Sequence, residues 1–242
     1  MPEELRYEQK LKAALKKTPV KKESTLWFAI SIYSIFIFII VALYYFVQQG
    51  TFTFRIANRA IADVGMLLIG LSMALSALCY FWDFADSFII YRKHLGLAGF
   101  AFALGHSVLS LFFMPQLFPF PQYYLEQKNM LSFSTALVSL IIYTIMALIS
   151  NRFAIQELGG KLWRNLLRIG YIAYFLTIIH FGVRGFPYWL RWLNGQSDNV
   201  FPSFGLITFV FGISVLFLRI ALLIARLNTN TATINGDGKN NT

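Results

Sequence analysis

Residues 92–112 read RKHLGLAGFAFALGHSVLSLF. Two cations and a histidine lead into a run of apolar and small residues, and a second histidine, His106, stands deep within it. From residue 95 the run is long and apolar enough to cross about 30 Å of hydrocarbon as a helix. An ionisable side chain inside such a helix is costly and usually faces the interior of a bundle, with a partner or a function. The reading of the chain turns on what His106 holds, or what holds it.

Five further runs of this kind recur, so that six spans are expected at about 26–48, 62–82, 95–114, 131–150, 164–183 and 203–225. The 242 residues are 57% hydrophobic and 13% charged, with a mean hydropathy of +0.59. A soluble domain averages about 45–50% apolar and about 25% charged residues. The connections between the runs leave no room for a soluble catalytic domain. The fold class expected is therefore all-α: a polytopic six-transmembrane-helix bundle over 25–226, with a basic leader at 1–24 and a polar tail at 227–242.

The net charge of +10 is distributed as a topology signal. Seven of the 21 Lys and Arg fall in the first 22 residues, directly before the first span. With that end cytoplasmic, the inner connections carry Arg92, Lys93, Arg152, Lys161 and Arg164, and the inner tail Arg226 and Lys239. The outer side keeps Arg55, Arg59, Lys128, Arg184 and Arg191. Both termini are thus expected in the cytoplasm, with the chain integral to a bacterial inner membrane or its equivalent. Anionic lipid is the expected contact of the basic residues and nucleic acid is not. The first run is too long, and lacks a small-residue cleavage site, to be a signal peptide, so it reads as a retained anchor. The leader, PEELRYEQKLKAALKK, suits an interfacial helix, and the tail NTNTATINGDGKNNT suits disorder.

Several chemistries are excluded. The single Cys79 rules out an internal disulfide, a cysteine-ligated iron–sulfur cluster and c-type haem attachment. Nucleotide-binding loops and the GxSxG and HExxH motifs are absent. What remains is the pair His106 and His180, each well inside a predicted span. At 1.5 Å per residue, His106 lies about 21 Å along its helix and His180 about 25 Å, taking the fifth helix from Trp163. Both helices run outward, so the imidazoles reach similar heights. Two facing imidazoles are the axial set of a haem iron; the plain alternative is a neutral imidazole bonding a neighbouring helix. Gly99 and Phe102 share the face of His106, and Gly170, Ala173 and Thr177 that of His180, as the walls of a slot for a porphyrin edge. Arg184, one turn past His180, is a candidate for a haem propionate. Arg92 shares the face of His106 and serves either a propionate or topology. His94, about 120° away round the helix, reads as a solvated or headgroup-facing residue.

RKHLGLAGFAFALGH is similar to the R-R-x-L-G-L-x-x-F-x-Y-x-x-x-H signature of the ferric reductase-like transmembrane family. ALISNRFAIQELGGKLWRNLLRIGYIAYFLTIIH resembles a second block, with Leu-Gly, Trp and a final His in register. The likeness runs over roughly residues 60–185 and is greatest to the haem-binding membrane subunit of the bacterial methionine sulfoxide reductase system. It implies a six-helix b-type cytochrome that moves electrons across a membrane, with His106 and His180 as iron ligands. Trp163 and Arg92 stand at the family's tryptophan and first arginine. One position departs: the family's Leu-His-Arg histidine, the inner haem ligand where two haems stack, is Leu167 here. One haem is therefore expected rather than two.

Two functions follow as expectations. In the first, haem b receives electrons from a quinol or a separate flavoprotein and passes them to an acceptor on the outer side. The chain is then an electron-transfer subunit of an oxidoreductase, with separate redox partners and a possible quinone. In the second it is an accessory or structural subunit of a larger membrane complex, with its haem structural or lost. A transporter would need broken helices and buried charges that the spans largely lack.

Overall fold

The computed structural model describes residues 22–197 and 199–237. Helices α1 (Glu23–Gln49) and α2 (Phe54–Phe81) are followed by a 3-10 segment, Asp83–Tyr91. Helix α3 (Arg92–Val108) continues into a π-helical turn, Leu109–Phe113, and a single turn at Gln122–Leu125 precedes α4 (Gln127–Ile149). Helices α5 (Arg152–Arg168), α6 (Gly170–Leu193) and α7 (Phe204–Asp237) complete the chain. The described residues contain no strand. Six helical stretches are long and apolar enough to cross a membrane. Their outward faces carry bare apolar side chains such as Phe28, Phe36, Leu43 and Val47, as lipid-facing helices do. The protein is an all-α, six-span integral membrane bundle.

Three boundaries differ from the sequence reading. Helix α2 starts at Phe54, eight residues before the 62 expected, because the Thr53 hydroxyl caps it by accepting from the Ile56 amide at 3.3 Å. Asn58, Arg59 and Asp63 thereby belong to the helix rather than to its approach. The fifth span begins at Gly170 and runs to Leu193, past the expected end at 183. The residues before it form α5, bent at Gly159 (φ 72°) and pinned to the end of α4 by a 2.8 Å bond from Trp163 Nε1 to the Ile149 carbonyl. Helix α7 runs on to Asp237, so the first part of the tail expected to be disordered is helical. That segment holds no proline, and no glycine before Gly236, to stop the backbone. The leader helix expected over 1–24 lies almost wholly outside the described residues.

Helix α2 is the centre of the bundle. In its most apolar stretch 72% of residues are buried, against 11–28% in the other spans. It meets α3 backbone to backbone. A Cβ added at Gly99 would stand 2.7 Å from Ile69 Cγ1 and 2.9 Å from the Gly65 carbonyl oxygen, and one at Gly65 would stand 3.1 Å from the Ala103 amide. Small residues let membrane helices approach this closely and gain dispersion contact. Towards the ends where α2 finishes and α3 begins, the interior is filled by Met66, Ile69, Met73, Tyr143, Ala173, Tyr174, Ile178 and Val215.

Candidate functional site

The opposite half of the bundle is open. A cavity of about 640 Å³ lies toward the end carrying the connections Met114–Glu126 and Asn194–Ser203. Gln48, Gln49, Gln196 and Asn199 stand round its mouth, away from Arg92, Lys93 and the N-terminus of α1. His106 from α3 and His180 from α6 both line it.

Each imidazole is held by one nitrogen. His106 Nδ1 lies 3.1 Å from the Asn58 carbonyl oxygen and 3.0 Å from Asn58 Oδ1. His180 Nδ1 lies 2.9 Å from both the carbonyl oxygen and the hydroxyl of Ser132. A carbonyl can only accept, so the Nδ1 of each ring carries the proton and donates it. Neither Nε2 has a hydrogen bond among the described residues, and neither is sealed from the cavity. The lone pairs left over are therefore on Nε2. This is how a metal-binding histidine is prepared: an outer partner on one nitrogen fixes tautomer and ring orientation, and the other nitrogen is free to ligate.

The supports are themselves braced. Asn58 Nδ2 donates to Ser110 Oγ at 2.9 Å and approaches Met114 Sδ at 3.4 Å, which fastens α2 to the π-helical turn just beyond His106. Arg184 Nη1 donates to Asn129 Oδ1 at 3.0 Å and lies over the Tyr123 ring, 5.6 Å from its centre. Arg59 lines the cavity from α2 with no hydrogen bond or ion pair among the described residues, and Arg191 lies against the Tyr188 ring. Tyr124, in the turn over the mouth, has a buried hydroxyl without a partner among the described residues. Burial pushes that hydroxyl up from its ordinary value, assisted by the neighbouring Tyr123 and opposed by Arg184.

The structure thus brings together three residues singled out from sequence: His106, His180 and Arg184. The other six stand elsewhere. Gly99 serves the α2–α3 contact, and Phe102 packs with Val41, Ala60, Val64 and Leu68 between α1 and α2. A Cβ at Gly170 would run into Met146 and Met73. Ala173 is fully buried, its carbonyl accepting from Ser139 and Thr177, and Thr177 shares a 3.2 Å bond with Tyr143. The expected slot of small residues is a set of helix contacts, because these positions lie a turn or more toward the packed end. Arg92 is at that end too, its carbonyl accepting from Ser72 Oγ at 2.7 Å. His94, expected to be solvated, is 4% exposed beneath Trp27, whose ring centre is 5.0 Å away edge-on. The start of α1 covers it, held there by the 2.9 Å ion pair of Glu23 with Lys93.

Sequence reading missed Asn58, Arg59, Asp63 and Ser132. The available signal was Thr53 before an apolar-periodic run, which marks a helix start and carries Asn58, Arg59 and Asp63 into the membrane.

The ferric reductase like transmembrane component family matches residues 59–178, from the first turns of α2 through α3, α4 and α5 into α6. The chain carries a ferric reductase-like transmembrane domain. Its matched part includes His106 and stops just short of His180. No curated protein matches the chain.

Proposed function

We propose that this ferric reductase-like protein would hold one haem b in the cavity through His106 and His180, and that it carries electrons through the membrane. The observation that carries the reading is the pair of Nε2 atoms left open on one cavity while both Nδ1 atoms are bonded to main-chain carbonyls. The donor set fits the group: two neutral imidazoles for the iron, with Arg59 of α2 and Arg184 of α6 also lining the cavity for its two carboxylates. When bound, the group supplies one-electron chemistry.

The residues of the chain do the rest. Asn58 and Ser132 keep the Nδ1 protons in place, so His106 and His180 present lone pairs rather than N–H groups. Arg184 is steadied by Asn129 and Tyr123. Tyr143, Tyr174 and Met73 fill the other half of the interior, and Leu167 sits half-buried on α5. One haem per chain is the stoichiometry this packing favours.

With the basic end cytoplasmic, the cavity opens on the outer side, which suits delivery to an acceptor there. Electrons then come from a quinol or a separate flavoprotein. Within the ferric reductase-like family we assign the chain to the type exemplified by the membrane subunit of the methionine sulfoxide reductase system. The purified protein should show a b-type spectrum that shifts on dithionite reduction, with one haem per chain by pyridine haemochrome. Protein purified without haem from haem-competent cells would defeat the reading. The accessory-subunit alternative draws on the same filled inner half, which gives no second carrier toward the basic end. It wins if the reduced protein reoxidises with no acceptor while its deletion destabilises a larger complex.

A further inference from the structure

Asp63 stands on α2 in the middle of the protein and is 2% exposed. Tyr45 Oη of α1 donates to its Oδ2 at 2.6 Å. Its Oδ1 is buried and faces Gly205 and Thr208 of α7, whose hydroxyl is a donor on that side. Asp63 and Tyr45 both line the cavity that receives His106 and His180. A tie between α1 and α2 does not need an acid here. An asparagine would accept the same bond from Tyr45 without the cost of a buried carboxylate, and the two helices already pack through Val41, Ala42, Ile56 and Ala60. An ionisable side chain retained at such a place marks a function.

We propose that Asp63 is a proton-binding site linked to the redox state of the cavity: its carboxylate takes up one proton when the centre held by His106 and His180 gains one electron, and releases it when the electron leaves. This rests on the haem reading above. The electron comes from a reductant, and the proton comes from water entering past Gln48, Gln49 and Gln196. No covalent bond other than O–H is made or broken. The cause is Coulombic: an electron added to a low-dielectric cavity repels a carboxylate on the same wall, and a proton on Asp63 removes the repulsion. Linkage is reciprocal, so a proton bound at Asp63 equally eases reduction.

The other ionisable groups facing the cavity do not account for such coupling. Arg59 on α2 and Arg184 and Arg191 on α6 are the guanidinium groups on the cavity wall. His106 and His180 would have both nitrogens committed, one to the metal and one to a carbonyl. Tyr45 on α1, Tyr188 on α6, and Tyr123 and Tyr124 over the mouth are phenols rather than carboxylates. Toward α7, Asp63 meets Gly205 and Thr208, which carry no charge.

The test is potentiometric titration of the full-length haem-loaded protein between pH 5 and pH 9. The wild type should show a midpoint potential that falls as pH rises. The slope should approach a tenfold change in the reduction equilibrium per pH unit, about 59 mV for one electron. Asp63→Asn should keep the spectrum and flatten the slope. Tyr45→Phe, which removes the donor to the carboxylate, should move the sloping region to higher pH. Tyr45→Phe keeps the question open to refutation if Asp63→Asn fails to fold: an unmoved region overturns the proposal. A flat wild type overturns it also, as does an unchanged slope in Asp63→Asn, which would assign the proton to the porphyrin carboxylates. Haem-free protein would overturn this proposal together with the functional reading, whereas loaded protein with a flat profile overturns this proposal alone.

Discussion

The bundle's two halves use the same kinds of residue to opposite ends. Toward the basic end, Tyr143, Tyr174, Met73 and Met146 close the space between α2, α4 and α6. Toward the other end the same three helices, joined by α3, part round about 640 Å³ and line it with Asn58-braced His106, Ser132-braced His180, Asp63 and three arginines. A void inside a membrane bundle forfeits dispersion contact on every wall, and membrane helices have little besides that contact to hold them together. A cavity with braced polar walls beside a filled, almost wholly apolar neighbour is what the proposed site requires, with the filled half as its scaffold. The comparison makes opposite demands of the two halves, which substitutions can probe.

The largest effect belongs to the cavity. His106→Ala and His180→Ala should each abolish the b-type spectrum, because one imidazole cannot hold the iron as two do, and both proteins should still fold. Retention of an unchanged spectrum in either variant would break the assignment of that residue. In the packed half the corresponding variant is Tyr174→Ala, which empties a fully buried site. It should cost about 3 kcal/mol or more of stability, the usual price of a buried aromatic, and leave the haem content per folded chain unchanged. A thermal melt followed by both haem absorbance and tryptophan fluorescence separates the two results.

A smaller effect is expected from the braces. Asn58→Ala removes one of the two oxygens facing His106 Nδ1 and also the bonds to Ser110 and Met114. Loss of such an outer partner typically weakens binding about 10–100-fold, to be read as haem transfer to apomyoglobin. Ser132→Ala leaves the carbonyl acceptor of His180 intact and should fall at or below the bottom of that range. If Ser132→Ala costs as much as Asn58→Ala, the carbonyl is not the group that fixes the ring.

Much of this contrast could be read from the sequence, and the part that could not has a physical reason. Hydropathy found six spans because each is an uninterrupted apolar run, and it found His106 and His180 because an imidazole stands out in such a run. It placed the start of α2 too late because Asn58, Arg59 and Asp63 lower local hydropathy, although Asn58 is buried against Ser110 and His106 and the other two line the cavity. It also misjudged Gly99, Gly170 and Ala173. A small residue in a membrane helix can face a cofactor or a neighbouring backbone, and only the partner helix decides. The depth argument for His180 took its origin from Trp163, whereas α6 starts at Gly170, which puts His180 about 15 Å along it. The two imidazoles nonetheless meet on one cavity, since α3 and α6 begin at different heights.

The smallest expected effect tests whether the filled half is held by packing or by charge. Gly99→Ala puts a methyl group 2.7 Å from Ile69 Cγ1 and 2.8 Å from its backbone nitrogen, so α2 and α3 must separate. Overpacking of this kind costs about 1–3 kcal/mol. Glu23→Gln removes the ion pair with Lys93 at the same end, where both side chains are near half exposed. Solvent screening and side-chain entropy hold such a pair to about 1 kcal/mol or less. The two variants melted side by side should therefore rank Gly99→Ala well below Glu23→Gln in stability. Salt should shift the difference between wild type and Glu23→Gln but not that between wild type and Gly99→Ala. The reverse ranking would mean that the cover of α1 over His94, and not the contact of α2 with α3, keeps the filled half closed.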